Sequence, residues 1–200
     1  MKIEVLVSTM HQKNTDLINK MNLKTDAIII SQCNKNDFEI IINEYSEIKV
    51  YKFDEKGVGK SRNSALLRST KEICLMADDD VVYYDDYAEK VINAFKEMPE
   101  ADMIIFNVLS NTLDRPEYFN EDNKRLRWYN VLKYPTFRIA FKSESQKLKN
   151  IYFSQLFGGG AKYSCGEDSI FIYDFLKNGL KIYASKETIG VVEHSDSTWF

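Results

Sequence analysis

Acidic side chains gather at two places in this 200-residue chain with spacings that chemistry can use. The first is Asp78-Asp79-Asp80, closing the apolar run ICLMAD (73–78). If the chain stays extended there, Asp78 and Asp80 point to one side and Asp79 to the other, because side chains alternate along a strand. Two carboxylates facing one point repel unless a cation offsets them, and carboxylates completed by diphosphate oxygens and water make the hard octahedral site of Mn²⁺ or Mg²⁺. The plain alternative is an acidic surface turn whose acids favour the N-terminus of the next helix. The second place is Glu167-Asp168. Ser164-Cys165-Gly166-Glu167 fits a capping box, in which the serine and glutamate side chains satisfy the first backbone donors of a helix. Asp168 then lies in the first turn of EDSIFIYDFLKNG (167–179), a stretch apolar almost all round and therefore expected to be buried. A carboxylate fixed at the mouth of such a helix suits general-base chemistry. His194 follows in VVEHSDSTW; taken alone, a histidine at a strand end is more often a satisfied polar residue than a ligand.

A third motif is GVGKS (57–61), which resembles the end of a triphosphate-binding loop. Such a loop needs a glycine five residues before the last one, to turn the backbone N–H groups onto the phosphates. Asp54 stands there instead, and its carboxylate repels a triphosphate. ATP cleavage is therefore disfavoured. The glycines of FGGGAKYSC (157–165) predict a loop that lets another molecule approach the backbone closely.

These residues need a scaffold, and the chain predicts one. KIEVLVS (2–8), DAIIIS (26–31), IKVYKF (48–53), ICLMAD (73–78) and DMIIFNV (102–108) are short, apolar and β-branched, as parallel strands buried on both faces should be. From Tyr84 onward Tyr87, Ala88, Val91, Ile92 and Phe95 recur at three- and four-residue steps, predicting a helix with Asp85 and Asp86 in its first turn. PTFRIAF (135–141) reads as a strand, and LKIYAS and TIGVVEH as two more strand-like pieces. Alternating strands and helices predict an α/β sandwich with a mostly parallel sheet, in a single domain over 1–200.

Composition narrows the classes. A formal charge of −3 offers no global field for nucleic acid, and nucleic-acid binding is set aside. Three scattered cysteines suit neither a disulfide framework nor a four-thiolate zinc site, and read as reduced thiols in a cytoplasmic protein. The N-terminus lacks a secretory pattern, and no stretch approaches the ~20 apolar residues of a membrane span.

The ordered set is more specific than any member: a first strand ending in VST, Asp54 followed by GVGKSRNSAL, a strand ending in DDD, a later GED (166–168) and a histidine near the end. Together they resemble a family 2 glycosyltransferase of the GT-A fold, over nearly the whole chain. The resemblance implies a Rossmann-like α/β/α sandwich with a mixed, mostly parallel sheet. It further implies inverting transfer of a sugar from a nucleotide-diphosphate sugar, expected to be a UDP-sugar, to a hydroxyl acceptor. By the same resemblance Asp80 ligates Mn²⁺ or Mg²⁺, with His194 as a further ligand, and Asp78 contacts the ribose or a metal-bound water. An imidazole ligand would favour Mn²⁺. Asp168 is the expected general base. Thr9, Gln32, Asn34, Asp54, Lys60, Arg62, Asp79 and Glu167 are implied on the substrate side, although SQCN after the second strand stands where many relatives have an acidic turn. His11 is expected near the nucleotide as a loop residue.

Resemblance to capsule and cell-wall transferases points to a saccharide or lipid-linked acceptor in surface polysaccharide synthesis, used from the cytoplasmic side, with peripheral membrane contact an option. Arg125–Tyr134, RLRWYNVLKY, lines the acceptor side, rests on anionic lipid, or packs as a loop on its own domain, the last being favoured. Because relatives commonly run on past STWF, a chain truncated at its C-terminus is also expected. The alternatives to transfer are a sugar nucleotidyltransferase, whose basic glycine-rich signature is missing after the first strand, and a binding module without activity. The oligomeric state is left open.

Overall fold

The computed structural model describes residues 1–10, 14–44, 46–111 and 118–193. Its centre is a sheet that begins with β1 (Ile3–Met10), buried along its whole length. After α1 (Asn14–Lys20) come β2 (Asp26–Gln32), β3 (Asp37–Ile42) and β4 (Glu47–Phe53), then α2 (Val58–Arg68) and β5 (Ile73–Asp78). β2, β1 and β5 lie side by side in parallel, and β4 continues the parallel order beyond β2. β1, β2 and β5 are buried on both faces as their apolar runs predict, whereas β4 is buried only at Ile48 and Val50, its lysines and tyrosine staying half-exposed.

The second half is mixed. β6 (Val81–Tyr83), α3 (Tyr87–Glu97), β7 (Met103–Ser110), β8 (Lys124–Leu126), β9 (Ile139–Lys142), α4 (Ser143–Leu148), α5 (Glu167–Lys177) and β10 (Ile182–Val192) complete the described elements. Their spatial order is β3-β4-β2-β1-β5-β9-β7-β10-β6, with β8 on β10. β9 runs antiparallel between β5 and β7. The fold is the α/β/α sandwich of the GT-A type. On one face α1 and α3 bring Leu17, Ile18, Val91 and Phe95 onto Val5, Val7 and Ile29. On the other α2 and α5 bring Ala65, Leu66, Phe171 and Phe175 onto Leu6, Ile28 and Met76.

Several expectations change. PTFRIAF is not one strand: Thr136–Arg138 form a 3-10 turn before β9 begins at Ile139. LKIYAS and TIGVVEH are not two strands but the single β10, whose pairing with β7 shifts register between Ala184 and Thr188 and again before Gly190. Asp85 and Asp86 precede α3 rather than sitting within its first turn, Asp86 standing at the N-cap position without a side-chain cap bond. Helix α5 is buried through Phe171, Ile172 and Phe175, while Tyr173 is exposed, so it is not buried all round. Among the described residues no helix is long and apolar enough to cross a membrane.

Candidate active site

The carboxyl ends of β1, β2, β4 and β5 open on one edge of the sheet, where ligands of open α/β sheets bind. Three elements meet there around one guanidinium. Arg62, on α2, is buried; its Nη2 donates to Asp78 Oδ1 at 3.0 Å, and its Nη1 donates to Asp168 Oδ1 at 2.6 Å and Glu167 Oε1 at 3.3 Å. Its carbon lies 5.2 Å from the centroid of Phe153, which stacks in turn on Phe171 at 3.9 Å. Burial disfavours the charged guanidinium, but Asp168, Asp78 and Glu167 more than offset it and hold the pKa above the ordinary value. Arg62 is expected on the substrate side, yet these carboxylates take both terminal nitrogens.

Asp168 has a second set of donors. Its Oδ1 also accepts the Thr136 hydroxyl, and its Oδ2 accepts the Thr136 N–H at 3.1 Å. Thr136 is buried in the 3-10 turn that precedes β9. Sequence reasoning passes over it, since nothing near Thr136 marks it and Asp168 lies 32 positions away. The capping box does not form. Gly166, at φ 113°, is the N-cap residue and makes no side-chain cap bond, so Glu167 opens the helix instead of standing at its third position. From there its carboxylate turns to Arg62; burial, then Asp168, raise its pKa above the usual carboxylate value.

The acidic triplet is not extended. β5 ends at Asp78, and Asp79 and Asp80 form a turn into β6, so the alternation expected for Asp78 and Asp80 fails. Asp78 turns to Arg62. Asp79 Oδ2 accepts the Thr9 hydroxyl at 2.5 Å, which pairs two residues expected on the substrate side with each other; burial raises the Asp79 pKa. Asp80 Oδ1 is buried without a hydrogen-bond partner, and burial, then Asp78 and Asp79, push its carboxyl up to about 6. Its backbone carbonyl accepts the N–H of Glu193 at 2.8 Å. His11 and His194 lie outside the described residues.

A cleft of about 270 Å³ opens beside the acids, lined by Met10, Gln32, Cys33, Asn34, Asp54, Glu55 and Lys56. Asn34 and Asp54 are exposed on its wall. Gln32 is buried and its amide is committed: Oε1 accepts the Gly57 N–H at 3.0 Å, while Nε2 donates to the Gly57 carbonyl at 3.1 Å and to Glu55 at 3.2 Å. Lys60 does not join this cleft. It lines a separate one of about 420 Å³ with Phe53, Asn63, Leu67, Arg68 and Gln155. The GVGKS turn is packed rather than open to a triphosphate. A Cβ on Gly59 would lie 2.4 Å from the Ser154 carbonyl oxygen, and one on Gly158 would lie 2.6 Å from Val58 and 2.7 Å from Glu167. Bare backbone at these points seats the 154–166 loop on the start of α2.

Among the described residues no three side chains of histidine, cysteine, aspartate or glutamate group as metal donors. The local chemistry nevertheless suits a cation. Asp78, Glu167 and Asp168 share the buried Arg62, Asp79 and Asp80 crowd beside Asp78 with no ion pair to it, and the buried Oδ1 of Asp80 lacks any donor.

An α/β/α sheet with carboxylates collected at its strand ends, beside a cleft, is the build of a GT-A domain. The family model of glycosyl transferase family 2 matches residues 8–158, and the chain belongs to that family. Among solved structures, a 1–349 fragment of S. aureus TarS in complex with UDP-GlcNAc has a TM-score of 0.75 at 16% identity, covering 100% of this chain and 60% of that one. The same fragment in complex with UDP has a TM-score of 0.73 at 16% identity, covering 98% and 61%. A longer TarS structure has a TM-score of 0.72 at 17% identity, covering 98% of this chain and 37% of that one. At such identities the likeness is one of fold. This chain thus spans about 60% of the fragment's length. A search of curated protein sequences finds no significant match.

Proposed function

We propose that this chain carries the donor site and general base of an inverting, metal-dependent glycosyltransferase that moves a sugar from a UDP-sugar to a hydroxyl of a saccharide or lipid-linked acceptor. The observation that carries the reading is the Arg62 bridge, which joins an acid at the end of β5 to the acid at the start of α5. One guanidinium thereby spaces the donor side from the acceptor side.

Asp168 is the base. Its Oδ1 is taken by Arg62 and the Thr136 hydroxyl, whereas Oδ2 accepts only the Thr136 N–H and keeps a lone pair for the acceptor proton. The acceptor oxygen forms its bond to the anomeric carbon as that carbon's bond to the diphosphate oxygen breaks, and the proton passes to Asp168. Asp80, with its unpartnered oxygen, Asp78 and His194 would hold the metal. A bound Mn²⁺ or Mg²⁺ supplies positive charge to the leaving diphosphate. The base and ribose go to the cleft walled by Asn34 and Asp54, with Gln32 shaping its floor through Gly57. Glu167 keeps Arg62 in place, and Thr9 keeps Asp79 in place. The UDP-GlcNAc and UDP complexes of TarS support uridine as the nucleoside. We place the reaction on the cytoplasmic side, in surface polysaccharide synthesis.

The test is UDP-sugar turnover in Mn²⁺ and in EDTA, for the wild type and for Asp168→Asn. Turnover should require metal, and Asp168→Asn should lower it by about 10²–10⁴, the range for losing general-base help, with UDP affinity kept. Full turnover in EDTA, or in Asp168→Asn, defeats the reading.

A further inference from the structure

At the far end of α5 from Asp168 lies a cleft of about 380 Å³ whose walls are Arg125, Leu126, Arg127, Trp128, Tyr173, Leu176, Lys177 and Leu180, with Gly179 at its edge. It belongs to neither the acid cluster nor the nucleotide cleft. The segment that forms it is charged unlike the rest of the molecule. In a chain of net charge −3, residues 123–134 hold four lysines and arginines and no acid. Arg125, Arg127 and Lys177 make no ion pair among the described residues; Glu100, the acid whose charge reaches Arg125, is already bound to Lys181 and Tyr183.

The same face carries apolar side chains that folding has not covered. Trp128 is 70% exposed and Tyr129 69% exposed, edge to face with each other, while Leu126, Val131 and Tyr134 of the same segment are buried and anchor it. The segment is therefore both a loop packed on its own domain and a platform for outward side chains. Unpaired cations beside outward tryptophan and tyrosine match the headgroup level of a bilayer, where aromatic rings sit at the interface and cations meet anionic lipid. A small soluble anion needs the cations but gains nothing from protruding rings. We infer that the outer face of 124–133, with the last turn of α5, docks on an anionic phospholipid surface.

The docking itself is independent of the transfer chemistry, but what it achieves rests on that reading. The Ser169 hydroxyl donates to the Leu132 carbonyl oxygen at 3.0 Å, and Thr136 holds Asp168. One continuous segment thus links the docking face to the base, so a lipid-linked acceptor arrives on the side where its hydroxyl is deprotonated.

The experiment is co-sedimentation with vesicles of phosphatidylcholine alone and of phosphatidylcholine with about 30 mol% phosphatidylglycerol, where each cation near the surface contributes about 1 kcal/mol, or roughly fivefold in partition. The protein should bind the anionic vesicles and not the neutral ones, and added salt should release it. Arg125→Gln/Arg127→Gln/Lys177→Gln should lower binding by about 10² while leaving the melting temperature unchanged, as expected for exposed unpaired side chains. In a Trp199→Phe background Trp128 is the sole tryptophan, and its emission should shift to the blue on the anionic vesicles. Equal binding to both vesicles, an unaffected triple variant or an unshifted emission overturns the inference. So does binding to soluble polyphosphate with none to vesicles, which would assign the face to a soluble polyanion. Loss of turnover in Asp168→Asn, with vesicle binding intact or absent, bears only on the chemistry.

Discussion

The two halves of the site are held together by different means. On the nucleotide side, Gln32 fastens the GVGKS turn with a neutral amide that satisfies both backbone groups of Gly57. On the acid side, Arg62 fastens β5 to α5 with full charges. A neutral clamp fixes the shape of a cleft without altering its potential. A charged clamp also sets how much negative charge remains for a ligand to answer, and here carboxylates outnumber the arginine. Shape is needed where a base is to be recognised, and charge where a proton and a diphosphate are to be handled.

Removing the charged clamp should have the larger effect. Arg62→Met leaves three carboxylates without their counter-ion, and breaking a buried pair in this way costs about 3–5 kcal/mol. The low end is expected, since the side chains of Asp78, Glu167 and Asp168 are 13–31% exposed. Urea unfolding measures it, with Arg62→Lys as a milder companion that keeps the charge but not the fork. A loss below about 1 kcal/mol, the scale of a surface pair, would make Arg62 no clamp at all.

The neutral clamp comes next. Gln32→Leu strands the N–H of Gly57, whose carbonyl keeps the N–H of Ser61 at 3.1 Å, and should cost about 1–3 kcal/mol. Because no titrating group is removed, the cost should stay nearly constant between about pH 5 and pH 8. A cost that changes steeply over that interval would show that the two sides are not separable.

The smallest effect sharpens the contrast. Glu167 has a native pKa raised above its ordinary 4.5, so the folded protein binds its proton more readily than the unfolded chain does. Its contribution to stability therefore falls as pH rises from that ordinary value through the raised one. Glu167→Gln should flatten this slope and leave the protein slightly more stable at neutral pH, by under about 1 kcal/mol, because the amide oxygen still accepts from Arg62 while one of the crowded charges is gone. An unchanged slope in paired pH–urea titrations would refute the assignment.

What the sequence reveals follows how locally each feature is determined. β1, β2 and β5 are legible because burial on both faces demands unbroken apolar runs, β4 is legible through Ile48 and Val50 although only those two are buried, and α3 is legible because one face repeats every turn. β3 escapes notice as an edge strand that leaves Phe38, Ile40 and Ile42 exposed. β10 looks like two strands because Ser185, Lys186 and Glu187 interrupt its apolar pattern where its register shifts. In the site, residue types are legible and partners are not. Arg62 finds its acids 16, 105 and 106 positions away, and Thr136 meets Asp168 across 32. The capping box fails on a local matter: a left-handed Gly166 starts the helix two residues later than the serine suggests.

The antiparallel strand β9 also sets a timetable. β5 pairs with β1 on one side as soon as both are made, but its other neighbour is residues 139–142, and β7 waits for the same strand. A chain emerging from the ribosome therefore carries a hydrophobic strand with one open edge for some sixty residues of synthesis, a few to about a dozen seconds at ordinary rates. Arg62 waits longer still, with Asp78 within reach early and Glu167 and Asp168 arriving only with the last helix. The segment that closes the sheet and the residues that finish the site come from the same late third of the chain, so a nascent chain is exposed to mispairing until it is nearly able to work.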